Sequence, residues 1–329
     1  MFVATDRAPD GVRQVGYGSG RAALRYEELT VSVPPGHQPG NIEWTEAAAR
    51  NPAKSFVVTR RRTLDEEAFR RAVALRSGGN GTTGIFVHGY NYTLTEAVFR
   101  VAQLSADATS VRVPILFSWP SEAAVAGYVA DRDAVTYARD DLARLLGIVG
   151  ELRTKGRIFL VGHSMGGWLV MESLRQLRLE GRDRLVDRFE VALAAPDIDV
   201  DVFRRQIAVV GALDPPLTIL VAKDDRALAV SQRLSGGRQR VGSVDVDDPH
   251  LEEVARRADI RIIDISSVEP SDGTRHDRFV RFATLQSREM ATEGSPLGSI
   301  GRAGAYVFNT AGAAVASPFT LAGRALGGQ

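Results

Sequence analysis

The chain has 329 residues, of which 44% are hydrophobic and 25% are charged. A chain of this length buries roughly 75% of its unfolded surface, and this composition excludes a disordered protein. Its 41 basic and 40 acidic residues give a net charge of +1, without the basic excess of a dedicated nucleic-acid binder. The absence of cysteine excludes disulfides, cysteine-ligated metal centres and a thiol nucleophile. A nucleophile in this chain must therefore be an oxygen or a lysine nitrogen.

The first 80 residues contain short β-branched runs separated by turn residues, a pattern typical of an antiparallel sheet edge. These runs cover residues 2–5, 29–33 and 56–59. The glycine run at 16–20 has no strand entering it and no helix leaving it, so it is not a dinucleotide-binding fingerprint. We interpret this run as a flexible loop.

From residue 83 onward, short apolar runs alternate with longer segments of helical spacing. Strands are predicted at 85–87, 113–117, 158–161, 191–194, 217–221 and 260–265. One intervening helix is predicted to begin with a capping box formed by Thr93 and Glu96. Strands that are apolar on both faces need helices on both faces of a mostly parallel sheet. The predicted fold class is therefore α/β, doubly wound, with an antiparallel N-terminal edge.

Residues 294–329 shift to Gly, Ala and Ser, so we predict a main domain at 1–293 and a separate tail at 294–329. Within the tail, residues 303–323 are uncharged and about as long as a membrane span. Asn309, Pro318 and the many small residues make this stretch a poor span. The first ten residues lack the basic start and apolar core of a secretory signal, so a cytoplasmic location is expected.

The strongest chemical motif is the pentapeptide Gly162-His163-Ser164-Met165-Gly166, which lies between a predicted strand and an amphipathic helix. A strand that turns directly into a helix strains its pivot residue, and glycines on either side remove side chains that would collide. This arrangement exposes the hydroxyl of Ser164 at the carboxyl edge of the sheet, where open α/β sheets bind ligands. We therefore predict Ser164 as the nucleophile, against the simpler interpretation of a Gly-rich turn with a serine helix cap.

A serine nucleophile needs a base that is oriented by an acid, and both should follow it in the order Ser, Asp, His. The strand at 217–221 leads into Asp224 and Asp225, and we favour Asp225 as the acid over Asp224. One of these two carboxylates is expected to cap the helix that follows. Asp197 and Asp199, after the preceding strand, are weaker candidates with a structural interpretation.

Two histidines follow the acid, and we predict that His276 is the base. His276 lies in a polar loop after the last predicted strand, whereas His250 precedes a helical segment and remains the alternative. His163 is excluded because its side chain diverges from that of its neighbour Ser164.

Acyl transfer also needs hydrogen-bond donors where the oxyanion forms, each contributing about 3 kcal/mol. The backbone amide of Met165 is the first expected donor. The second is expected from the loop His88-Gly89-Tyr90-Asn91, where we favour the amide of Tyr90 and keep Asn91 as an alternative. We interpret His88 itself as structural.

Several segments of the sequence resemble the motifs of one protein family. They are His88-Gly89-Tyr90-Asn91, Leu116-Phe117-Ser118-Trp119-Pro120-Ser121, Gly127-Tyr128 with Asp131-Arg132, the pentapeptide around Ser164, Ala195-Pro196-Asp197-Ile198-Asp199 and Asp224-Asp225-Arg226-Ala227-Leu228. With Phe2-Val3-Ala4-Thr5 they resemble a bacterial α/β-hydrolase family catalogued as domain of unknown function 900 and labelled an esterase/lipase superfamily. The resemblance implies an α/β-hydrolase fold, a triad of Ser164, Asp225 and His276, and a lid-like insertion at about 119–135. Relatives often carry an N-terminal export or lipoprotein signal, which we do not expect in this protein from its first ten residues.

The expected function is hydrolysis of a small-molecule carboxylic ester through an acyl-enzyme intermediate, with no cofactor, no metal and no nucleic-acid partner. An acyltransferase or thioesterase with the same triad is one alternative. A non-catalytic, envelope-associated binding protein that uses the tail for weak association with a membrane or partner is another.

Overall fold

A computed structural model describes residues 1–10, 16–44, 51–78, 81–108, 111–152, 156–270, 272–293, 307–308 and 314–315. The chain divides into two compact units, Met1–Glu190 and Val191–Gln329. Each unit is described by itself, and the strand that begins at Phe189 is described with the second unit.

The first unit contains strands β1 (Phe2–Pro9), β2 (Tyr17–Ser32), β3 (Val57–Leu64), β4 (Thr83–Val87), β5 (Val113–Ser118) and β6 (Ile158–His163). Its helices are α1 (Glu66–Ser77), α2 (Leu94–Asp107), α3 (Tyr128–Tyr137), α4 (Arg139–Gly150), α5 (Met165–Leu179) and α6 (Asp183–Val186). The strands lie in the order β3-β2-β1-β5-β4-β6. β2 pairs antiparallel with β1 and β3, whereas the β1–β5, β4–β5 and β4–β6 pairs are parallel. The predicted antiparallel N-terminal edge is therefore confirmed.

The central strands of this unit are apolar because both of their faces are covered. Ile85, Ile115 and Leu160 are at most 1% exposed, as expected for parallel strands between helices. The predicted capping box is present on α2, where the hydroxyl of Thr93 accepts from the amide of Glu96 and the Glu96 carboxylate accepts from the amide of Thr93. The capping box marks where α2 begins.

The glycine run at 16–20 is not the flexible loop that we expected from its composition. Tyr17 opens β2, and the strand continues through Gly18 and Gly20 in antiparallel pairing with β1. A side chain at Gly20 would lie 3.0 Å from the Cβ of Ala8, so the close approach of the two backbones favours glycine there. Backbone pairing along β1 outweighs the low strand propensity of the run.

The second unit contains strands β7 (Phe189–Ala194), β8 (Leu217–Val221) and β9 (Ile260–Asp264), which pair in parallel in the order β7-β8-β9. Its helices are α7 (Val200–Val210), α8 (Arg226–Leu234), α9 (Pro249–Arg257) and α10 (Arg278–Glu293). Two short strands, β10 (Val307–Phe308) and β11 (Ala314–Val315), pair antiparallel. Most of the predicted tail at 294–329, including most of the stretch at 303–323, lies outside the described residues. Among the helices that are described, none is both long and apolar enough to cross a membrane.

Candidate active site

Ser164 occupies the turn between β6 and α5 in the first unit. Its backbone has φ +55° and ψ −123°, a conformation that a residue with a side chain adopts only under strain. A Cβ on Gly162 would lie 2.7 Å from the Cα of Gly167, and a Cβ on Gly166 would lie 2.4 Å from the carbonyl oxygen of Val87. Both distances are shorter than any real Cβ contact, so the turn requires glycine at these two positions. Met165 is the first residue of α5, and its amide is among the first-turn donors of that helix.

The loop at residues 88–92, which follows β4, lies directly against this turn; we call it the oxyanion loop. A Cβ on Gly89 would lie 2.8 Å from the Cβ of Ser164, so the backbone at Gly89 is packed against the proposed nucleophile. Asn91 has φ +60°, and its amide donates to Oδ2 of Asp131 at 3.2 Å. The amide of Asn91 is therefore engaged by Asp131, and the amide of Tyr90 stays our prediction for the second oxyanion donor. The phenol of Tyr90 donates to the backbone carbonyls of Ala124 and Val125.

His88 is fully buried at the start of the oxyanion loop. Its Nδ1 lies 2.8 Å from the carbonyl oxygen of Gly89, and its Nε2 lies 2.9 Å from the hydroxyl of Ser118. Burial, together with the positive charge of Arg7, lowers the pKa of His88 to about 3, so this ring is neutral. The indole of Trp119 stacks on the imidazole and donates to the His88 carbonyl at 2.8 Å. These contacts give His88 a structural role, in agreement with our interpretation of the sequence.

In the second unit, Asp225 and His276 are in direct contact. Oδ2 of Asp225 lies 2.6 Å from Nδ1 of His276. Because an ionised carboxylate only accepts, Nδ1 of the ring carries the hydrogen. Oδ1 of Asp225 accepts from the amide of Leu228 at 3.0 Å and thereby caps α8. One carboxylate therefore serves both as the helix cap and as the partner of the histidine.

Asp224 has a different set of partners. Its carboxylate accepts from Arg275 at 2.7 Å and from both terminal nitrogens of Arg278, one of them at 2.8 Å. These arginines, Arg278 foremost, lower the pKa of Asp224. Arg278 is buried, and its Nε donates to the carbonyl of Val268. Asp224 thus anchors the loop that carries His276, while the neighbouring Asp225 contacts the ring.

The loop around His276 is folded over the carboxylate of Asp272, which accepts from the amides of His276 at 3.0 Å and Asp277 at 3.1 Å. Ser271, at the start of the loop, lies outside the described residues. Burial acts to lower the pKa of His276, but the negative charges of Asp225, Asp277 and Asp197 outweigh it, so the pKa lies above its ordinary value. This environment favours the protonated ring of His276, whose positive charge then lies beside the carboxylate of Asp225.

The weaker candidates for the acid and the base lie outside the Asp225–His276 contact. His250 lies in α9, and its side chain is outside the described residues. Asp199 caps α7 through the amides of Asp201 and Val202. Asp197 is buried, accepts from the hydroxyl of Ser231 and forms an ion pair with Arg240 at 3.3 Å. Both aspartates are structural, as interpreted from the sequence.

The side chains of the described segments contain no group of three or more histidine or acidic residues that could hold a metal ion.

The profile of a protein family described as alpha/beta hydrolase of unknown function (DUF900) matches residues 65–292. The chain belongs to this family. The matched range contains the strained serine of β6–α5, the oxyanion loop and the Asp225–His276 pair. The α/β fold class and the resemblance noted from the sequence motifs are thereby confirmed. The match makes the protein an α/β hydrolase by family.

One curated relative of this α/β hydrolase is the uncharacterized protein alr1448 of Nostoc sp.. It is 30% identical over 105 residues, which span 25% of this chain and 27% of that protein. The chain therefore covers only about a quarter of this relative.

Two buried residues of the α/β hydrolase contact the oxyanion loop but were not predicted from the sequence, Arg7 and Asp131. A signal for Arg7 was present, since the charged pair Asp6-Arg7 follows the run of residues 2–5 within one strand. A signal for Asp131 was its place in the Asp131-Arg132 segment that resembles the family. Neither signal identifies the contacts, because their partners are distant in the chain.

Proposed function

We propose that this α/β hydrolase is a serine hydrolase that cleaves small-molecule carboxylic esters. In this proposal the hydroxyl oxygen of Ser164 attacks the ester carbonyl while Nε2 of His276 takes the hydroxyl proton. The alkoxide of the substrate then leaves and takes the proton from His276, which gives an acyl-enzyme and a free alcohol. Water, deprotonated by His276, attacks the acyl carbon and releases the carboxylic acid and the Ser164 hydroxyl.

The remaining groups of the proposed site orient the ring of His276 and stabilise the negative charge of the intermediate. Asp225 holds the hydrogen of His276 on Nδ1, so that Nε2 is the nitrogen that exchanges the proton. The amides of Met165 and Tyr90 donate to the oxyanion of the tetrahedral intermediate. The pairing of Ser164 with His276 rests on their chain order, which is that of α/β hydrolases.

The observation that carries this proposal is the backbone of Ser164. A serine with φ +55° at a helix N-terminus is costly, on the order of 1–3 kcal/mol, and such strain persists where the surrounding structure enforces it. A serine that only capped a helix would have an extended backbone and a side chain bonded to the first turn, and Ser164 has no such capping bond. The strained turn instead favours a nucleophile.

The test is hydrolysis of a panel of p-nitrophenyl esters of increasing acyl length by the full chain. We expect turnover of at least one ester, and a loss of at least 1,000-fold in kcat for Ser164→Ala. Ser105→Ala is the matched control, because Ser105 lies on α2 and donates to the carbonyl of Val101 in its own helix. Equal hydrolysis by wild type and Ser164→Ala would contradict the proposal. Turnover that needs an added alcohol or thiol acceptor would favour the acyltransferase alternative.

A further inference from the structure

Two oppositely charged side chains are buried beside the oxyanion loop. Arg7 of β1 and Asp131 of α3 are both 0% exposed. Charged side chains are almost never fully buried unless their hydrogen-bonding groups are satisfied, because their desolvation costs several kcal/mol. The hydrogen-bond partners of Arg7 and Asp131 therefore indicate the role of these two buried side chains.

Arg7 is connected to both ends of the oxyanion loop, directly to Tyr92 and through Ser118 to His88. Its Nη2 donates to the carbonyl of Tyr92 at 2.7 Å, and its Nε donates to the hydroxyl of Ser118 at 3.0 Å. Because Nδ1 of His88 donates to a carbonyl, Nε2 of this neutral ring accepts, and the donor is the hydroxyl of Ser118. A continuous chain of hydrogen bonds thus runs from Arg7 through Ser118 to His88.

Asp131 contacts the middle of the loop. Its Oδ2 accepts from the amide of Asn91 at 3.2 Å and from the hydroxyl of Ser121 at 2.6 Å, and its Oδ1 accepts from the amide of Glu122 at 2.7 Å. Asn91 has a left-handed backbone, a conformation that persists only where the surrounding structure holds it. Ser121 joins the two charges, because its carbonyl accepts from Arg7 and its hydroxyl donates to Asp131.

We infer that Arg7 and Asp131 are positioning residues that hold the oxyanion loop in the shape in which the Tyr90 amide serves the intermediate formed at Ser164. This inference rests on the proposed function. Neither residue touches the reacting atoms; both act through the backbone of residues 88–92, which at Gly89 packs against the Ser164 side chain. A shift of about 1 Å in such a group costs on the order of 100-fold in rate.

The test uses Asp131→Asn in the full chain. The carboxylate of Asp131 accepts on both oxygens, so an amide NH₂ in either orientation faces the amide donor of Asn91 or of Glu122. Shape is kept while one hydrogen bond is lost. Asp133→Asn is the matched control, since Asp133 lies on the same helix and is exposed. Arg7→Lys is the second variant, because one ammonium cannot reproduce the contacts of the three guanidinium nitrogens.

Two readouts are measured, ester hydrolysis and hydrogen–deuterium exchange of peptides that cover residues 88–92. We expect kcat to fall 10-fold to 100-fold in Asp131→Asn and Arg7→Lys with KM within about threefold of wild type, and exchange in 88–92 to become faster. Asp133→Asn should match wild type in both readouts. Unchanged exchange in 88–92, or faster exchange with wild-type kcat, would overturn the inference.

The two proposals fail in different ways. A wild-type chain that hydrolyses no ester and whose Ser164→Ala variant behaves identically refutes the proposed function. Wild-type turnover that depends on Ser164 but is unaffected by both Asp131→Asn and Arg7→Lys refutes only the positioning role. Loss of folding in one variant leaves the other to decide the matter, since Asp131 and Arg7 lie on different elements.

Discussion

Asp225 performs two tasks with its two carboxylate oxygens, and a single substitution should separate them. In Asp225→Asn, the amide oxygen can still accept from Leu228 and cap α8, because asparagine caps as well as aspartate. The amide NH₂ then faces Nδ1 of His276 in place of Oδ2. Since NH₂ only donates, the ring must carry its hydrogen on Nε2, where it cannot take the proton from Ser164.

The expected magnitudes follow from these contacts. The wrong tautomer is expected to lower kcat by about 10⁴-fold, which corresponds to about 5 kcal/mol of transition-state stabilisation. The free energy of unfolding of Asp225→Asn should lie within about 0.5 kcal/mol of wild type, because the cap is kept. Asp225→Ala removes the cap as well and should lose about 1 kcal/mol of stability in addition to the activity.

The assay combines kcat for p-nitrophenyl acetate with urea unfolding of each variant. Asp224→Asn is the control, because its amide oxygen still accepts from Arg275 or Arg278 of the loop that carries His276, and the ring of His276 keeps its contact with Asp225. We expect less than a 10-fold change in kcat for this control. The reasoning is refuted if Asp225→Asn keeps kcat within 10-fold of wild type, or if Asp224→Asn loses more activity than Asp225→Asn.

Three further predictions concern pH and packing. Because the pKa of His276 is raised, the acid limb of the kcat/KM profile should have its midpoint above the ordinary histidine pKa of 6.5; a midpoint below 6.5 would contradict the assigned environment. Gly166→Ala places a Cβ 2.4 Å from two backbone carbonyl oxygens and should lower both the unfolding temperature and kcat. Gly36→Ala should change neither, because a Cβ at Gly36 would have no neighbour within 4 Å among the described residues. Burial, helped by the charge of Asp141, raises the pKa of Asp6 to about 8. The ordinary pKa of this carboxyl is 3.8, so the unfolded chain releases a proton that the folded protein keeps. The free energy of unfolding of the wild type should therefore fall as pH rises from 5 to 8, by up to about 1.4 kcal/mol per pH unit. Asp6→Asn should remove most of this slope, as measured by urea unfolding. An equal slope in both proteins would be inconsistent with a buried, protonated Asp6.

Much of the fold was predictable because apolar runs and helix caps are local signals. The strands at 113–117 and 217–221 and the capping box at Thr93 appear where the sequence places them, within one or two residues. The start of β2 was not predictable, because its glycines are ordered by pairing with β1 and not by their own propensity. Local pattern therefore fails where a partner strand decides the conformation.

The same distinction applies to the candidate site. Five adjacent residues predict the turn at Ser164, and the strained backbone expected at its pivot is present. Asp225 and His276 were chosen by chain order, and the structure places their side chains in contact although 51 residues separate them. Arg7 and Asp131 were missed because their partners in the oxyanion loop lie 85 and 40 residues away. Contacts of this kind depend on the register of the sheet, which a single sequence does not reveal.

The central claim is that Ser164 is a nucleophile activated by His276, and labelling with a fluorophosphonate tests it most directly. The folded protein should form one adduct, mapped by mass spectrometry to Ser164, and urea-unfolded protein should form none. His276→Ala should slow labelling at least 100-fold, while Asp133→Asn should label at the wild-type rate. An unlabelled Ser164 in folded wild-type protein, or equal labelling rates for wild type and His276→Ala, would contradict the account.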